Sequence, residues 1–308
     1  MPARTVTVNL RGGLGNQLFQ YAAGMALART LGHELLLDSA LLPKSSRVLS
    51  GVSHWPEQIS LFAHDGDFVD KGTAPISRFF DSRFLQYERM ISQSLSKLGL
   101  NSHSVYANES GAYSERFHSL SGRKLRINSY CNDRKFFLGF EELLRHQITS
   151  PVRESPTLGG LIKQSSSAKP IAIHVRLGDY KNLPHIYGEF DAKYFYRGVE
   201  LARNLLGDCP LWLFSDEPEL AAAFLPELMP DFETPPELSL LSGYETLILM
   251  ATCSGLVGSS SSFSWWAAFL GHKPGFRAIF PRPTFAVGGP AEPKSALLED
   301  WIQIGRQV

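Results

Sequence analysis

The stretch that decides the fold is TVTVNLRGGLGNQLFQYAAGMALARTLGHELLLD, residues 5–38. Its first part, Thr5–Leu10, is rich in β-branched residues and predicts a strand. Gln17–Leu31 consists of good helix formers and predicts a helix, and Gly32 stands where helices commonly end. Glu34–Asp38 then predicts a second, parallel strand. A strand, a loop, a helix and a strand in this order indicate an open α/β sheet.

The second half of the chain repeats this alternation. We expect strands at Ile171–Val175, Leu211–Phe214, Gly255–Val257 and, as the last one, Ala278–Phe280, and helices at Asp191–Leu206, Glu217–Phe224, Leu240–Thr252 and Phe263–Leu270. A shift toward Pro, Gly and Ser around residues 150–169 marks a boundary between domains 1–155 and 156–308. The sequence therefore predicts two Rossmann-like α/β domains that face a central cleft, with ligands beyond the carboxyl ends of the strands.

The middle of the chain, residues 39–150, shows no repeat and no regular period. Lys124–Tyr130 predicts a strand. Residues 132–148 then predict one continuous helix, with Asn132 or Asp133 as its cap.

The composition excludes several classes of protein. The 308 residues are 44% hydrophobic and include 30 basic and 30 acidic side chains, so the net charge is zero. Such a chain has enough apolar residues for a sizeable core and no general basic surface for nucleic acid. Its three cysteines imply no disulfide framework and fit a reducing compartment. No signal peptide and no apolar stretch of about 20 residues is evident, so we expect a cytoplasmic protein.

The glycine-rich loop after the first predicted strand, RGGLGNQ at residues 11–17, is a candidate anion site. Glycine lets the backbone approach a ligand closely, and a helix N-terminus attracts negative charge. We therefore assign Gly13, Gly15 and Asn16 to ligand binding. The loop departs from the dinucleotide pattern GxGxxG because Leu18 occupies the third glycine position. A simple glycine turn with an asparagine cap is the alternative.

The second candidate is HVRLGDY, residues 174–180, at the end of a predicted strand. Alternation along the strand places His174 and Arg176 on one face, and an arginine at a strand end can hold a diphosphate through two hydrogen bonds. Asp179 then orients the loop or acts as a base. The alternative is an ion pair between Arg176 and Asp179, and an isolated histidine is more often a hydrogen-bonded core residue than a catalyst.

Two further loops follow predicted strands. Ser215 and Asp216 come after LWLF, where an acidic residue can accept hydrogen bonds from a nucleoside, although either residue could instead cap the next helix. Four successive serines at positions 259–262 exceed what one cap needs and present hydroxyl and N–H groups to an anion. A polar loop with one capping serine is the alternative. The candidate binding residues of this cluster are Ser260, Ser261, Ser262 and Phe263.

An Asp-x-Asp sequence at Asp65 and Asp67 has the form of a metal-binding motif of sugar transferases. No apolar strand precedes it. We therefore interpret it as a solvated turn and predict no metal.

Taken in order, RGGLGNQLFQYA, HVRLGDY, FSDEPE and SSSSFSWWAAFLG resemble the motifs of glycosyltransferase family 11, the α-1,2-fucosyltransferases. They extend from residue 11 to about residue 271, and four motifs in order are far more specific than one. The family's usual HxRRxD has Leu177 here in place of its second arginine. This leaves Arg176 as the arginine that binds the donor and puts in doubt any role that needs two adjacent guanidinium groups.

The resemblance implies a GT-B-type fold, GDP-β-L-fucose as donor, and transfer with inversion to the 2-hydroxyl of a terminal β-galactose on an oligosaccharide or glycolipid. It implies no metal and no other cofactor, so Arg176, helix N-termini and serine hydroxyls would meet the charge of the departing GDP. The N-terminal domain would hold the acceptor beside the glycine loop, and the C-terminal domain the donor. Where acceptors are lipid-linked, we expect peripheral contact with a membrane.

The sequence does not identify the catalytic base. Arg176 and Asn16 are the expected catalytic residues besides that base, whose candidates are Asp179, His185, Glu189 and Asp191. Three other functions stay open: a transferase for another GDP-sugar, a nicotinamide-dependent oxidoreductase, and a non-catalytic module that binds nucleotide sugars. The missing third glycine and the arginine at the strand end disfavour the oxidoreductase.

Overall fold

The computed structural model of the chain describes residues 3–49, 52–69, 103–108, 111–151, 155–187, 191–285 and 297–306. The chain divides into two compact units, Met1–Arg47 with His54–Ser150, and Val48–Ser53 with Pro151–Val308. The predicted boundary between residues 155 and 156 lies at the first residue of the helix Pro156–Ala168.

The first half of the chain forms a parallel sheet. The strands described in this half of the chain are β1 (Thr5–Asn9), β2 (Glu34–Asp38), β3 (Arg47–Leu49), β4 (Val52–His54), β5 (Asp67–Phe68), β6 (His103–Asn108) and β7 (Lys124–Ser129), and the helices are α1 (Leu14–Leu31) and α2 (Glu141–Thr149). Within the described ranges the main sheet has the order β5-β2-β1-β7-β6, with parallel neighbours throughout, and β3 pairs with β4 in a separate ribbon.

Helix α1 is buried along most of its length, from Leu14 to Ala28. This explains why its sequence is apolar on nearly every face, since an all-round apolar helix belongs in a core. Gly24 lets the helix approach β1 closely, because a Cβ at this position would overlap the Val8 side chain. Gly32 ends the helix in the left-handed conformation, with φ 63°, as predicted.

The prediction of one continuous helix over residues 132–148 is wrong. A 3₁₀ turn at Arg134–Phe137 is capped by Asp133, which accepts a hydrogen bond from the Lys135 N–H at 2.9 Å. Gly139, with φ 86°, then breaks the helical conformation before α2 begins. That conformation favours glycine and is incompatible with a continuing helix.

The second half of the chain forms another parallel sheet. Its strands are β8 (Ile171–Val175), β9 (Leu211–Ser215), β10 (Gly255–Gly258), β11 (Arg277–Arg282) and β12 (Ile302–Gly305), and its helices are α3 (Pro156–Ala168), the single turn α4 (Pro184–Tyr187), α5 (Ala192–Leu206), α6 (Pro218–Phe224), α7 (Gly243–Thr252) and α8 (Ser262–Gly271). In the described part of the chain the strand order is β12-β11-β10-β8-β9, and every neighbouring pair is parallel.

These two sheets confirm the predicted class of two Rossmann-like α/β units, as in GT-B-type proteins. The expectation that Ala278–Phe280 is the last strand is wrong, because β12 adds an edge strand beside β11. In the four residues of β12, Ile302 and Ile304 alternate with Gln303 and Gly305, so the segment lacks the continuous apolar run of a strand such as β8. Within the described ranges, no helix has both the length and the apolar character needed to cross a bilayer.

Candidate functional site

The carboxyl ends of β8 and β10 are the place where the second sheet reverses its strand order. From β8 the chain crosses to β9 on one side, and it then returns to β10 on the other side of β8. Helices therefore leave opposite faces of the sheet at this point, and the crevice between them is where open α/β sheets bind ligands. The candidate motifs that begin at His174 and Gly258 both lie here.

The loops after these two strands are joined by hydrogen bonds. The Ser259 hydroxyl donates to the His174 carbonyl at 2.8 Å and accepts from the Arg176 N–H at 2.9 Å. The Tyr180 hydroxyl donates to the Ser260 carbonyl at 2.9 Å. These bonds hold the backbone on both sides of the switch point in one arrangement.

Arg176 forms an ion pair with Asp216, which follows the neighbouring strand β9. The Arg176 Nη1 lies 3.0 Å from the Asp216 Oδ2, and the other carboxylate oxygen accepts from the Leu177 N–H at 3.0 Å. Both side chains are less than one-fifth exposed, at 17% and 16%. Gly178 is needed here because a Cβ would overlap the Asp216 carboxylate. Arg176 thus forms an ion pair at this strand end with Asp216. The predicted pair with Asp179 falls on a side chain outside the described part of the structure.

Leu177 points into the apolar core of the second unit. It is 2% exposed and belongs to the cluster formed by Val175, Tyr194 and Phe195. A charged side chain at this position would be buried among apolar groups. The loop after β8 therefore presents one arginine to the switch point.

His174 is buried and neutral. Its Nδ1 lies 2.6 Å from the Ser264 hydroxyl, and its ring lies 5.3 Å from that of Phe263. Burial, aided by the charge of Arg176, lowers the pKa of His174 to about 3. A neutral imidazole cannot neutralise a phosphate by charge, so the ring is suited to holding the start of α8 in place.

The serines at positions 260–262 have different roles. Ser261 is the N-cap of α8 and accepts a hydrogen bond from the Phe263 N–H at 3.2 Å, and Ser262 is the first residue of the helix. The Ser260 hydroxyl is buried and has no hydrogen-bond partner among the described residues. One serine therefore acts as the predicted cap, and another offers a hydroxyl beyond what the cap needs.

The predicted alternative that Ser215 or Asp216 caps the next helix is wrong. Glu217 is the N-cap of α6. The Ser215 hydroxyl instead donates to the Val175 carbonyl at 2.8 Å and accepts from the Glu217 N–H at 3.0 Å. Ser215 thereby ties β9 to β8, while Asp216 orients Arg176.

A pocket opens at these strand ends, on the face covered by α5. Arg176 and Ser260 lie on its wall, together with Tyr180, Tyr194 and Arg306. Arg306, which follows β12, is a residue that the sequence analysis missed. Its neighbourhood in the sequence carries no recognisable motif, and it reaches this pocket because β12 joins the sheet next to β11.

The base candidates have different surroundings. Asp191 is the N-cap of α5, where it accepts a hydrogen bond from the Lys193 N–H at 3.0 Å, and it also lines the pocket. His185 is exposed in α4. The backbone of Asp179 lies in a 3₁₀ turn, but its side chain and the whole of Glu189 fall outside the described part of the structure.

The glycine loop lies in the other unit, at the carboxyl end of β1. Gly12 has φ 77°, and Gly13 is the N-cap of α1. Gly15 and Asn16 lie in the first helical turn, so the predicted asparagine cap is wrong. The Asn16 side chain lies over Gly12, where a Cβ would come within 2.7 Å of its Nδ2.

Gln17, which the sequence analysis did not single out, holds this loop. It is fully buried. Its Nε2 lies within hydrogen-bond distance of the Gly12 carbonyl (2.9 Å) and the Pro56 carbonyl (2.8 Å), and its Oε1 accepts from the Gln58 N–H at 3.0 Å. Each polar atom of the side chain is thus used to fix the loop.

The Asp-x-Asp segment makes more contacts with the rest of the fold than a solvated turn would. The Asp65 carboxylate accepts hydrogen bonds from Arg29 and from Gln147, and Asp67 begins β5. Across the described ranges, no group of three or more His, Cys, Asp or Glu side chains is arranged to hold a metal ion.

The chain is similar to known glycosyltransferases. The family model for glycosyl transferase family 11 matches residues 103–305. An alpha-1,2-colitosyltransferase of Escherichia coli is 24% identical over 293 residues, which cover 91% of this chain and 92% of that protein. The O-antigen biosynthesis glycosyltransferase WbnK of Escherichia coli is 24% identical over 320 residues, covering 96% of this chain and 99% of that protein.

Among solved structures, that of the fucosyltransferase NodZ from Bradyrhizobium is 17% identical, with a TM-score of 0.49, and the match covers 88% of this chain and 94% of NodZ.

Proposed function

Because this chain belongs to glycosyltransferase family 11, we propose that it transfers L-fucose from GDP-β-L-fucose to the 2-hydroxyl of a terminal β-galactose. The observation that carries the proposal is the carboxylate-held guanidinium of Arg176 at the switch point of the second sheet. Arg176 lines the same pocket as Ser260, the residue before the N-cap of α8. An arginine, a hydroxyl and a helix N-terminus at one strand edge suit a diphosphate.

The bond that breaks joins the anomeric carbon of fucose to a phosphate oxygen of GDP, and its electron pair stays on that oxygen. The 2-hydroxyl of the acceptor attacks from the opposite side, which inverts the configuration and requires loss of the hydroxyl proton to a base. Negative charge therefore grows on the diphosphate in the transition state. Arg176, held in place by Asp216, stabilises that charge without having to reorganise first.

Transfer in this scheme needs no metal and no other cofactor. The charge of the departing GDP is balanced by protein groups that are already oriented, namely Arg176 and the N–H groups at the start of α8. We expect the purified protein to retain its activity in EDTA. A strict requirement for Mn²⁺ or Mg²⁺ would contradict this part of the proposal and would turn attention back to Asp65 and Asp67.

The linkage and the acceptor class draw support from the two relatives. One is named as an α-1,2-transferase and the other as an enzyme of O-antigen biosynthesis. We accordingly propose an oligosaccharide or glycolipid acceptor that ends in β-galactose. A second candidate function, transfer of colitose from its nucleotide-activated form, is favoured by the name of the first relative.

The experiment that tests the function compares donors on one acceptor. The protein is incubated with a β-galactoside and with GDP-fucose, GDP-colitose or GDP-mannose, and the products are identified by mass spectrometry and by NMR of the new linkage. We expect an α-1,2-fucosylated product. A product formed with GDP-colitose alone would favour the second candidate, and no product with any GDP-sugar, together with no binding of GDP, would refute both.

A further inference from the structure

The pocket at the switch point is lined by two arginines that follow strands lying apart in the sheet order. Arg176 follows the inner strand β8, whereas Arg306 follows the edge strand β12. Both residues line the same pocket, and Ser260 lies on its wall as well. A nucleotide sugar carries one negative charge on each of two adjacent phosphoryl groups. Two cations in its binding site could therefore balance both charges.

The hydrogen bonds of Arg306 turn its side chain inward from the edge of the sheet. Its Nε donates to the Pro283 carbonyl at 2.8 Å, and its Nη2 donates to the Thr284 carbonyl at 3.2 Å. Both carbonyls follow β11, which lies between β12 and β10. The guanidinium is therefore held over the end of β11, on the side toward β10 and β8.

Tyr194 gives an independent indication of the same placement. Its hydroxyl is within hydrogen-bond distance of the Gly258 carbonyl (2.7 Å) and the Ile279 carbonyl (3.0 Å), so it lies between β10 and β11. Burial raises the pKa of Tyr194 well above its ordinary value, and the nearby charge of Arg306 opposes that rise. The charge of Arg306 is thus close enough to the Tyr194 hydroxyl to act on it.

We propose that Arg306 is the second cation of the diphosphate site and acts with Arg176 on the two phosphoryl groups. This inference rests on the proposed use of a GDP-sugar. It also accounts for Leu177, which is 2% exposed in the core and supplies no charge to the site. In this chain the second guanidinium comes from the C-terminal strand, one residue beyond the range that the family model matches.

The test measures GDP binding by calorimetry for the wild type and for Arg306→Gln. Loss of one charge-assisted contact to a phosphate should weaken GDP binding by about 10- to 100-fold. Guanosine, which has no phosphate, serves as the second probe, and its affinity should not change. A GDP affinity within twofold of the wild type in a folded Arg306→Gln protein would overturn the inference.

Arg306→Lys distinguishes two roles of Arg306. One is to bind a phosphate through its positive charge, and the other is to support the loop after β11 through hydrogen bonds. Lysine keeps the positive charge but cannot hold the Pro283 and Thr284 carbonyls in the same planar way. If Arg306 binds a phosphate, the lysine variant should bind GDP better than the glutamine variant does. If its role is only to hold the loop, the two variants should lose GDP affinity equally, and that result would refute the proposal.

Arg277→Gln is the matched control. Arg277 stands at the other end of β11, where its Nη1 donates to the Phe276 carbonyl at 3.0 Å, and it does not line the pocket. Its loss should leave GDP affinity unchanged. A wild-type protein that binds no GDP would refute the proposed function itself, whereas normal wild-type binding that Arg306→Gln does not weaken would refute only the role of Arg306.

Discussion

The glycine loop of the first unit and the switch point of the second occupy equivalent positions, yet they are held by different chemistry. Each lies where a central parallel strand ends and precedes the N-terminus of a buried helix. In the first, the neutral amide of Gln17 bonds to three backbone groups. In the second, the ion pair of Arg176 and Asp216 fixes the adjoining loop after β8.

The difference shows how one backbone arrangement serves two purposes. Amide hydrogen bonds fix a loop's shape without adding net charge, so Gln17 brings no cation to the first site. A carboxylate that holds a guanidinium also fixes a loop, but it keeps a cation oriented at the surface of a pocket. We therefore expect the loss of Gln17 to act mainly on stability and a change at Arg176 to act mainly on turnover.

Arg176→Lys gives the largest expected effect. Lysine retains the charge but not the planar pair of donors, so we expect kcat to fall by about 10² to 10³, as when one oxyanion donor is lost elsewhere. Because the charge on the diphosphate is greater in the transition state, affinity for the donor should fall less than kcat. Steady-state kinetics and a thermal melt on the same sample test this. Near-normal kcat would show that Arg176 is only a structural partner of Asp216.

Gln17→Ala tests how the glycine loop of the first unit is held. Two carbonyls and one N–H lose the fully buried Gln17 amide as their partner in partly buried hydrogen bonds, so we expect the free energy of unfolding to fall by about 2–3 kcal/mol. Gln164→Ala, on the exposed surface of α3, is the matched control and should change stability by less than about 0.5 kcal/mol. Urea denaturation measures both. Equal effects of the two substitutions would contradict the assigned role of Gln17.

His174 should make stability depend on pH. Its pKa in the folded protein, about 3, lies below the value of about 6.5 in an unfolded chain. Its contribution is therefore fully present above pH 6.5 and is lost as pH falls toward 3, at up to about 1.4 kcal/mol per pH unit. Denaturation between pH 7 and 5 should show this slope in the wild type and in the exposed-site control His185→Gln. The same slope in His174→Gln would refute the assignment.

Asn16→Ala should give the smallest change in stability. Gly13 rather than Asn16 caps α1, so removal of the amide should cost less than about 1 kcal/mol. If Asn16 contacts the donor, as we predict from its place in the loop, affinity for GDP-fucose falls more than stability does. A lower melting temperature with unchanged affinity would show that Asn16 only supports the helix start.

The local pattern of the sequence determined much of the fold. Strand β2 and the end of α1 at Leu31 lie where the apolar runs and Gly32 predict them. The serine cap of α8 also follows from local preference, because the groups it satisfies lie within a few residues. Where a left-handed glycine breaks the pattern, as Gly139 does, the local prediction of a continuous helix failed.

Only the tertiary structure decided which groups meet. Asp216 lies next to Arg176 because β9 pairs with β8 in a fixed register. Arg306 reaches the same pocket because β12 pairs with β11, although 130 positions separate it from Arg176 in the sequence. Residue preferences act over a few neighbours, whereas strand register is set by burial across the whole sheet. The sequence alone therefore indicates the arginine at the strand end, and the fold supplies its carboxylate partner and its second cation.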